Sequence, residues 1–231
     1  MTCPAVWIPS QLLDARMWHP LEAGLAVQGG FHADIASDDT IAGMAARLLA
    51  NAPPAFCLVA QGMGGFIAFE VMRQQPARVK GMALIGTLAS PDGPAQTARR
   101  CSYARLVEDG NFAQVIEERL PLLLHPDNSA DPALLATLRD MAQTTGAQGF
   151  LRQQSAIIGR QDSRATLRDV ACPVMLVRGS QDGITSAAHF AEMCDALPTA
   201  TAVTIPDCGH VPSLERPELV GALLSGWFAA L

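Results

Sequence analysis

Phe56-Cys57-Leu58-Val59-Ala60-Gln61-Gly62-Met63-Gly64-Gly65-Phe66 runs from an apolar strand through a turn of small residues into a helix. A strand without polar alternation is the pattern of one buried on both faces of a parallel sheet. The helix reads from Phe66 to Gln74 and is closed off by Pro76, which cannot continue it. Outward from this unit the same alternation repeats. Strands read at Ala5 to Pro9, Leu25 to Gln28, Val79 to Gly86, Val174 to Arg178 and Ala202 to Ile205. Asp38-Asp39-Thr40 is an N-cap region for a helix over Ile41 to Leu49, Pro53-Pro54 breaks the chain before Phe56, and further helices read near Ser186 to Ala196 and Pro217 to Ala230. The expectation is an α/β fold with about six mainly parallel strands, right-handed crossovers and flanking helices.

Between Ser90 and about Arg168 the strand signal disappears, and helices read around Arg99 to Glu108, Phe112 to Leu123, Pro132 to Gln143 and Ala147 to Ile158. This segment is expected to be a helical cap inserted in a single domain spanning 1–231, with the core formed by 1–89 and 169–231. The alternative is that these helices belong to the outer layer of the core. A cap rich in Leu, Ala, Met and Ile, with few charges directed to one place, predicts a largely apolar pocket.

Composition narrows the function. The chain has 231 residues, 49% of them hydrophobic and 16% charged, a balance of folded rather than disordered chains. A net charge of −6 with no basic stripe argues against nucleic acid as a partner. No apolar run approaches bilayer length and the N-terminus has no signal pattern, so no membrane association and a cytoplasmic location are expected. The oligomeric state is left open. The six cysteines lack CxxC spacing and sit mostly in apolar stretches, and His19, His32, His125 and His189 have no partners at metal-ligand spacing, so neither a disulfide framework nor a metal site is expected.

The turn itself carries the chemistry. A nucleophile elbow, G-x-S-x-G, places a serine between small flanks so that a tight turn lifts its hydroxyl above the sheet. Ala60 and Gly64 supply the flanks, while Gly62 takes the serine's place. Two further sites follow in chain order: Asp182, in Gly179-Ser180-Gln181-Asp182 just beyond a strand, and His210, in Asp207-Cys208-Gly209-His210 after the last strand. Nucleophile site, acid and histidine in that order can converge, because loops after parallel strands share one edge of the sheet. Taken alone, Asp182 reads as a turn residue and His210 as a loop residue; it is their joint placement that points to catalysis.

Val59 to Arg78 and Gly209-His210-Val211-Pro212-Ser213-Leu214-Glu215-Arg216-Pro217 resemble the elbow and the histidine loop of the α/β-hydrolase superfamily, in particular its small cap-bearing serine esterases and lactonases of the enol-lactonase type. The resemblance covers nearly the whole chain outside the cap. It implies that Asp182 orients His210, and that His210 passes a proton from nucleophile to leaving group. It implies an oxyanion hole formed by the N–H of Met63 and by Gln11 in the loop Pro9-Ser10-Gln11-Leu12, and it implies no cofactor. Ser10 stands where that family usually has glycine. Ser90 reads as a cap hinge or helix N-cap.

Glycine at position 62 relieves the strain of the elbow, about 1–3 kcal/mol for other residues, and removes the hydroxyl. Loss of one triad member can leave roughly 10³ to 10⁴ of rate over water. The parent activity is therefore expected to be hydrolysis of a small, mostly uncharged ester, lactone or thioester, with this chain inactive or very slow unless Gly62→Ser restores it. The alternatives are a noncatalytic small-molecule-binding member and a carbon–carbon bond hydrolase. A phosphate-binding loop is excluded because Phe66-Ile67 follows the glycines, and a dinucleotide fingerprint fails for want of the later glycine and acidic residue.

Overall fold

The computed structural model describes residues 3–22, 24, 25 and 30–231. Six parallel strands form one sheet: β1 (Ala5–Ile8), β2 (Phe31–His32), β3 (Phe56–Gln61), β4 (Val79–Ile85), β5 (Val174–Gly179) and β6 (Thr201–Ile205), in spatial order β2-β1-β3-β4-β5-β6. The expected six-stranded parallel architecture is present, with one strand misplaced. The strand beside β1 is Phe31–His32, paired as Val6 with Phe31 and Trp7 with His32. In the span expected for it, Leu25 is in a loop and residues 26–28 lie outside the described residues. Two residues are too few to show an alternating pattern, which is why the longer apolar run was the stronger signal.

The helices are α1 (His19–Glu22), α2 (Ile41–Asn51), α3 (Met63–Gln74), α4 (Pro94–Glu108), α5 (Phe112–Arg119), α6 (Pro132–Ile158), α7 (Arg164–Arg168), α8 (Ala187–Ala196), α9 (Pro212–Glu215) and α10 (Pro217–Ala229). Thr40 caps α2 by accepting the Gly43 N–H at 3.1 Å. The elbow helix starts at Met63, three residues earlier than its sequence suggests, because the turn consumes only Gly62. Its first turn lies so close to β1 that a Cβ on Gly64 would strike the Ile8 carbonyl. Helix α6 joins the two helices expected over 132–158, and the break between them survives as a kink at Gly146, with φ 70° and ψ 167°.

Alternate side chains of the central strands feed two cores. Leu58, Ala60, Met82, Leu84 and Leu176 pack with Ile41, Leu48, Phe69 and Met193 of α2, α3 and α8. Cys57, Val59, Ala83, Ile85 and Val177 pack on the other face with Val220, Leu224, Met17 and Trp18, continuous with Val115, Leu138 and Phe150 of the helices between β4 and β5. Burial on both faces explains the unbroken apolar runs of β3 and β5. The register brings Ile8 beside Ala60, Gln61 beside Ile85, and Gly179 beside Ile205. Hence the loops that begin at Pro9, Gly62, Gly86, Ser180 and Pro206 leave the sheet along one edge. Among the described residues no helix is long and apolar enough to cross a membrane.

Candidate active site

Gly62 sits between β3 and α3 with φ 54° and ψ −116°, a conformation that L residues rarely adopt. Its N–H donates to Ile85 O at 2.9 Å, and its carbonyl accepts the Thr87 hydroxyl at 2.8 Å, so both neighbours come from the end of β4. The sharp strand-to-helix turn read from the small flanks is therefore present.

Asp182 and His210 meet across the edge of the sheet. His210 Nδ1 lies 2.9 Å from Asp182 Oδ2, both side chains being buried, while Asp182 Oδ1 accepts the N–H groups of Ile184 and Thr185 at 2.8 Å each. Burial alone would raise the Asp182 carboxyl. The facing imidazole, the bond to it and the two backbone donors outweigh this and hold it below the usual carboxylate value. With Nδ1 donating to the carboxylate, Nε2 presents its lone pair. It lies 3.1 Å from the point where a Cβ on Gly62 would stand. A held imidazole of this kind can accept a proton at the elbow.

Residues that sequence reasoning passed over position this pair. Gln61 donates to His210 O at 2.9 Å and accepts from Ser213 at 3.1 Å. Glu215 accepts the N–H of Gly209 at 2.9 Å, that of His125 at 2.7 Å and the Asn128 amide at 2.9 Å, tying the histidine loop to the segment after α5. Glu215 lay inside the stretch quoted for its resemblance, but nothing local distinguishes a buried loop carboxylate from a surface one. Gly86, with φ 52°, leaves room for the pair: a Cβ there would stand 3.2 Å from both Asp182 Oδ2 and His210 Nδ1.

Gln11 and Met63 face the same cavity as Gly62 and His210. As the first residue of α3, Met63 has an N–H with no acceptor inside the helix. Ser10 O accepts the Leu13 N–H at 3.0 Å, closing a turn in which Leu12 adopts φ 66° and donates its N–H to Gln153 at 3.1 Å. All five sequence-predicted positions thus come together: Gln11, Gly62, Met63 and His210 line the cavity, and Asp182 stands behind His210.

Leu12, Phe66, Leu88 and Ile157 supply the apolar lining that was expected, and the remaining wall adds charge that composition did not suggest. Arg99, Arg100, Arg119 and Arg160 line it together with a single carboxylate, Asp92. Arg160 Nη2 bonds Asp92 at 2.8 Å and stacks 4.4 Å over Phe66, while Arg100 takes the other Asp92 oxygen. Asp92 is thus fully engaged. Arg119 has no carboxylate partner among the described residues: it donates to Gln11 Oε1 at 3.2 Å and lies 5.3 Å from the Tyr103 ring centre. Its Nε and the Gln11 Nε2 are buried without acceptors. Burial, and then the neighbouring charge of Arg100, push the Arg119 guanidinium down to about 10. Periodicity could not reveal this, because Arg99 and Arg160 stand 61 positions apart and the four arginines converge only when α4, α5 and the segment after α6 pack together.

Comparison with known proteins identifies the family of the fold that carries this site. Pimeloyl-acyl-carrier-protein methyl ester esterase of Nitrosomonas europaea is 30% identical over 72% of this chain and 68% of its own length. The corresponding esterase of Chromobacterium violaceum is 28% identical over 74% of this chain and 69% of its own. The solved enol-lactonase of Burkholderia xenovorans LB400 superposes with a TM-score of 0.87 at 20% identity, covering 100% of this chain and 93% of that one, and so supports the fold. Residues 10–223 match the Alpha/beta hydrolase family, and the chain belongs to that family.

Proposed function

We propose that the chain hydrolyses a small carboxylic ester, lactone or thioester whose acyl part carries a negative charge. The observation that carries this reading is the buried Asp182–His210 pair with Nε2 directed at the elbow, in a cavity walled by four guanidiniums and one carboxylate. His210 acts as the base and Asp182 fixes its tautomer. The N–H groups of Met63 and Gln11 receive the charge that develops on the carbonyl oxygen. Arg119, whose donors lack a carboxylate, binds the acid group of the substrate, with Gln11 Nε2 beside it. The helical segment between β4 and β5 serves as the cap that brings these cations over the site. No cofactor takes part. Gly62 carries no hydroxyl, so the attacking oxygen comes either from water activated by His210 or from another side chain.

The test is hydrolysis of a matched pair, methyl butyrate and monomethyl glutarate, followed by acid release. The half-ester is expected to have a kcat/KM at least about tenfold higher, as a charge-assisted hydrogen bond is worth roughly 1.5–3 kcal/mol. Arg119→Met should abolish that preference while leaving methyl butyrate turnover nearly unchanged. If His210→Ala has the same rate as the unaltered chain on both esters, the hydrolase reading fails. Glutarate binding seen by calorimetry would then favour a noncatalytic binding protein.

A further inference from the structure

Ser10 and Gly62 are complementary in space. A Cβ built on Gly62 would overlap the Ser10 hydroxyl and stand 3.1 Å from both Ser10 Cβ and His210 Nε2. The Ser10 side chain therefore occupies the volume that a side chain on residue 62 would fill, and His210 Nε2 borders that volume. In sequence terms the two residues are exchanged: serine stands in the loop after β1 where the family pattern has glycine, and glycine stands at the elbow where it has serine. Resting on the hydrolase reading above, we propose that Ser10 Oγ is the nucleophile of this chain.

The local backbone suits that role. Ser10 is 4% exposed and lines the cavity together with His210. The turn closed by Leu13 N–H on Ser10 O, with Leu12 at positive φ and its N–H held by Gln153, fixes the backbone that carries Ser10. A non-glycine residue at positive φ persists only where its surroundings enforce it.

The oxyanion donors survive the exchange. An elbow enzyme takes one N–H from the residue after its nucleophile and a second from the loop after an earlier strand. With Ser10 attacking, Gln11 follows the nucleophile and Met63 supplies the second donor, so the same two N–H groups serve in swapped roles. Glycine at 62 is then required, because any side chain there would displace the attacking hydroxyl.

The reaction balances without a further reagent. Ser10 Oγ bonds to the acyl carbon while its proton passes to His210 Nε2. The carbon–oxygen bond to the alcohol breaks, and the alcohol leaves with that proton, giving acyl-Ser10. Water then gives a proton to Nε2 and bonds to the acyl carbon. The bond to Ser10 breaks, its hydroxyl regains the proton, and the acid departs.

The test is an alkyl fluorophosphonate, which loses fluoride as a serine oxygen bonds to phosphorus, applied to the full chain and read by mass spectrometry. One adduct is expected on the tryptic peptide ending at Arg16, in which Ser10 is the sole serine. Ser10→Ala should give none and should lower kcat on the preferred ester by roughly 10³-fold or more with little change in KM. His210→Ala should label at least about 10²-fold more slowly. An unlabelled wild-type chain, or an adduct on any other peptide, overturns the proposal. Ester turnover unchanged in Ser10→Ala also overturns it while leaving the hydrolase reading intact with water as the attacking group. Labelling at Ser10 without turnover of any ester does the reverse.

Discussion

Restoring serine at residue 62 without touching Ser10 is expected to damage the fold more than it helps the chemistry. Gly62 holds φ 54°, where an L residue costs about 1–3 kcal/mol. The new Cβ also falls on the Ser10 hydroxyl. Rotating that hydroxyl away still leaves Ser10 Cβ 3.1 Å from the new atom, an overpacking worth about another 1–3 kcal/mol. Gly62→Ser alone should therefore lose about 2–6 kcal/mol, a large share of an ordinary stability of about 5–15 kcal/mol. Ser10→Gly alone should lose only about 0.5–1 kcal/mol, chiefly through backbone entropy. Combining the two removes the overlap and keeps the strain, so the pair should be more stable than the sum of its parts by about 1–3 kcal/mol. Urea unfolding of the four proteins measures this coupling as a shift in midpoint at constant slope. Additivity within about 0.5 kcal/mol would show that the two side chains do not compete for one volume, and the exchange argument would collapse.

Other consequences follow from the same contacts. Asp182→Asn should cut kcat by about 10⁴-fold through the wrong imidazole tautomer. Because the folded-state pKa of Asp182 is depressed, its stabilisation is present above the unfolded value near 3.9 and lost as pH falls through the folded one. The melting-temperature gap between wild type and Asp182→Asn should thus shrink from neutral pH to about pH 3, and a constant gap would contradict it. Arg119→Met exchanges a half-buried cation without a carboxylate partner among the described residues for an apolar side chain, so the melting temperature at neutral pH should not fall; a drop of several degrees would refute this. Glu215→Ala strands the N–H groups of Gly209 and His125 and should cost about 2–4 kcal/mol, read as a fall of several degrees or more in melting temperature.

What the sequence disclosed and what it withheld divide along a physical line. Properties set by neighbours in the chain were legible: the apolar run of β3 that marks a doubly buried strand, the Thr40 cap, and the break near Gly146 between two helical patterns. The order Gly62, Asp182, His210 was enough to predict their meeting, because parallel strands send their following loops to one edge. Relations between side chains remote in sequence left no local mark. Arg119 reads as one more charged residue on an amphipathic helix until it is seen to donate to Gln11, 108 positions away. Ser10 was visible as a departure from glycine in one loop and Gly62 as a departure from serine in another. Only their overlap in space turns two anomalies into one exchange.

That exchange changes what a missing serine signifies. An elbow that merely lost its hydroxyl would leave a void the size of the lost group beside His210 Nε2, and nothing would oppose another residue entering position 62. Here the space is filled from a different loop by a side chain of the same kind, and the filling itself opposes a serine at position 62. Each single change gives a less favourable chain: serine at both positions overlaps, and glycine at both has no attacking hydroxyl. The double-serine chain keeps a hydroxyl at the expense of about 2–6 kcal/mol of strain and overlap, whereas the double-glycine chain keeps the fold and loses the nucleophile. Comparing Gly62→Ser with Ser10→Gly measures both routes. The first should label with fluorophosphonate but melt low, and the second should melt near wild type but remain unlabelled. If Ser10→Gly labelled as readily as wild type, the hydroxyl would be elsewhere, and the filled void would be packing alone.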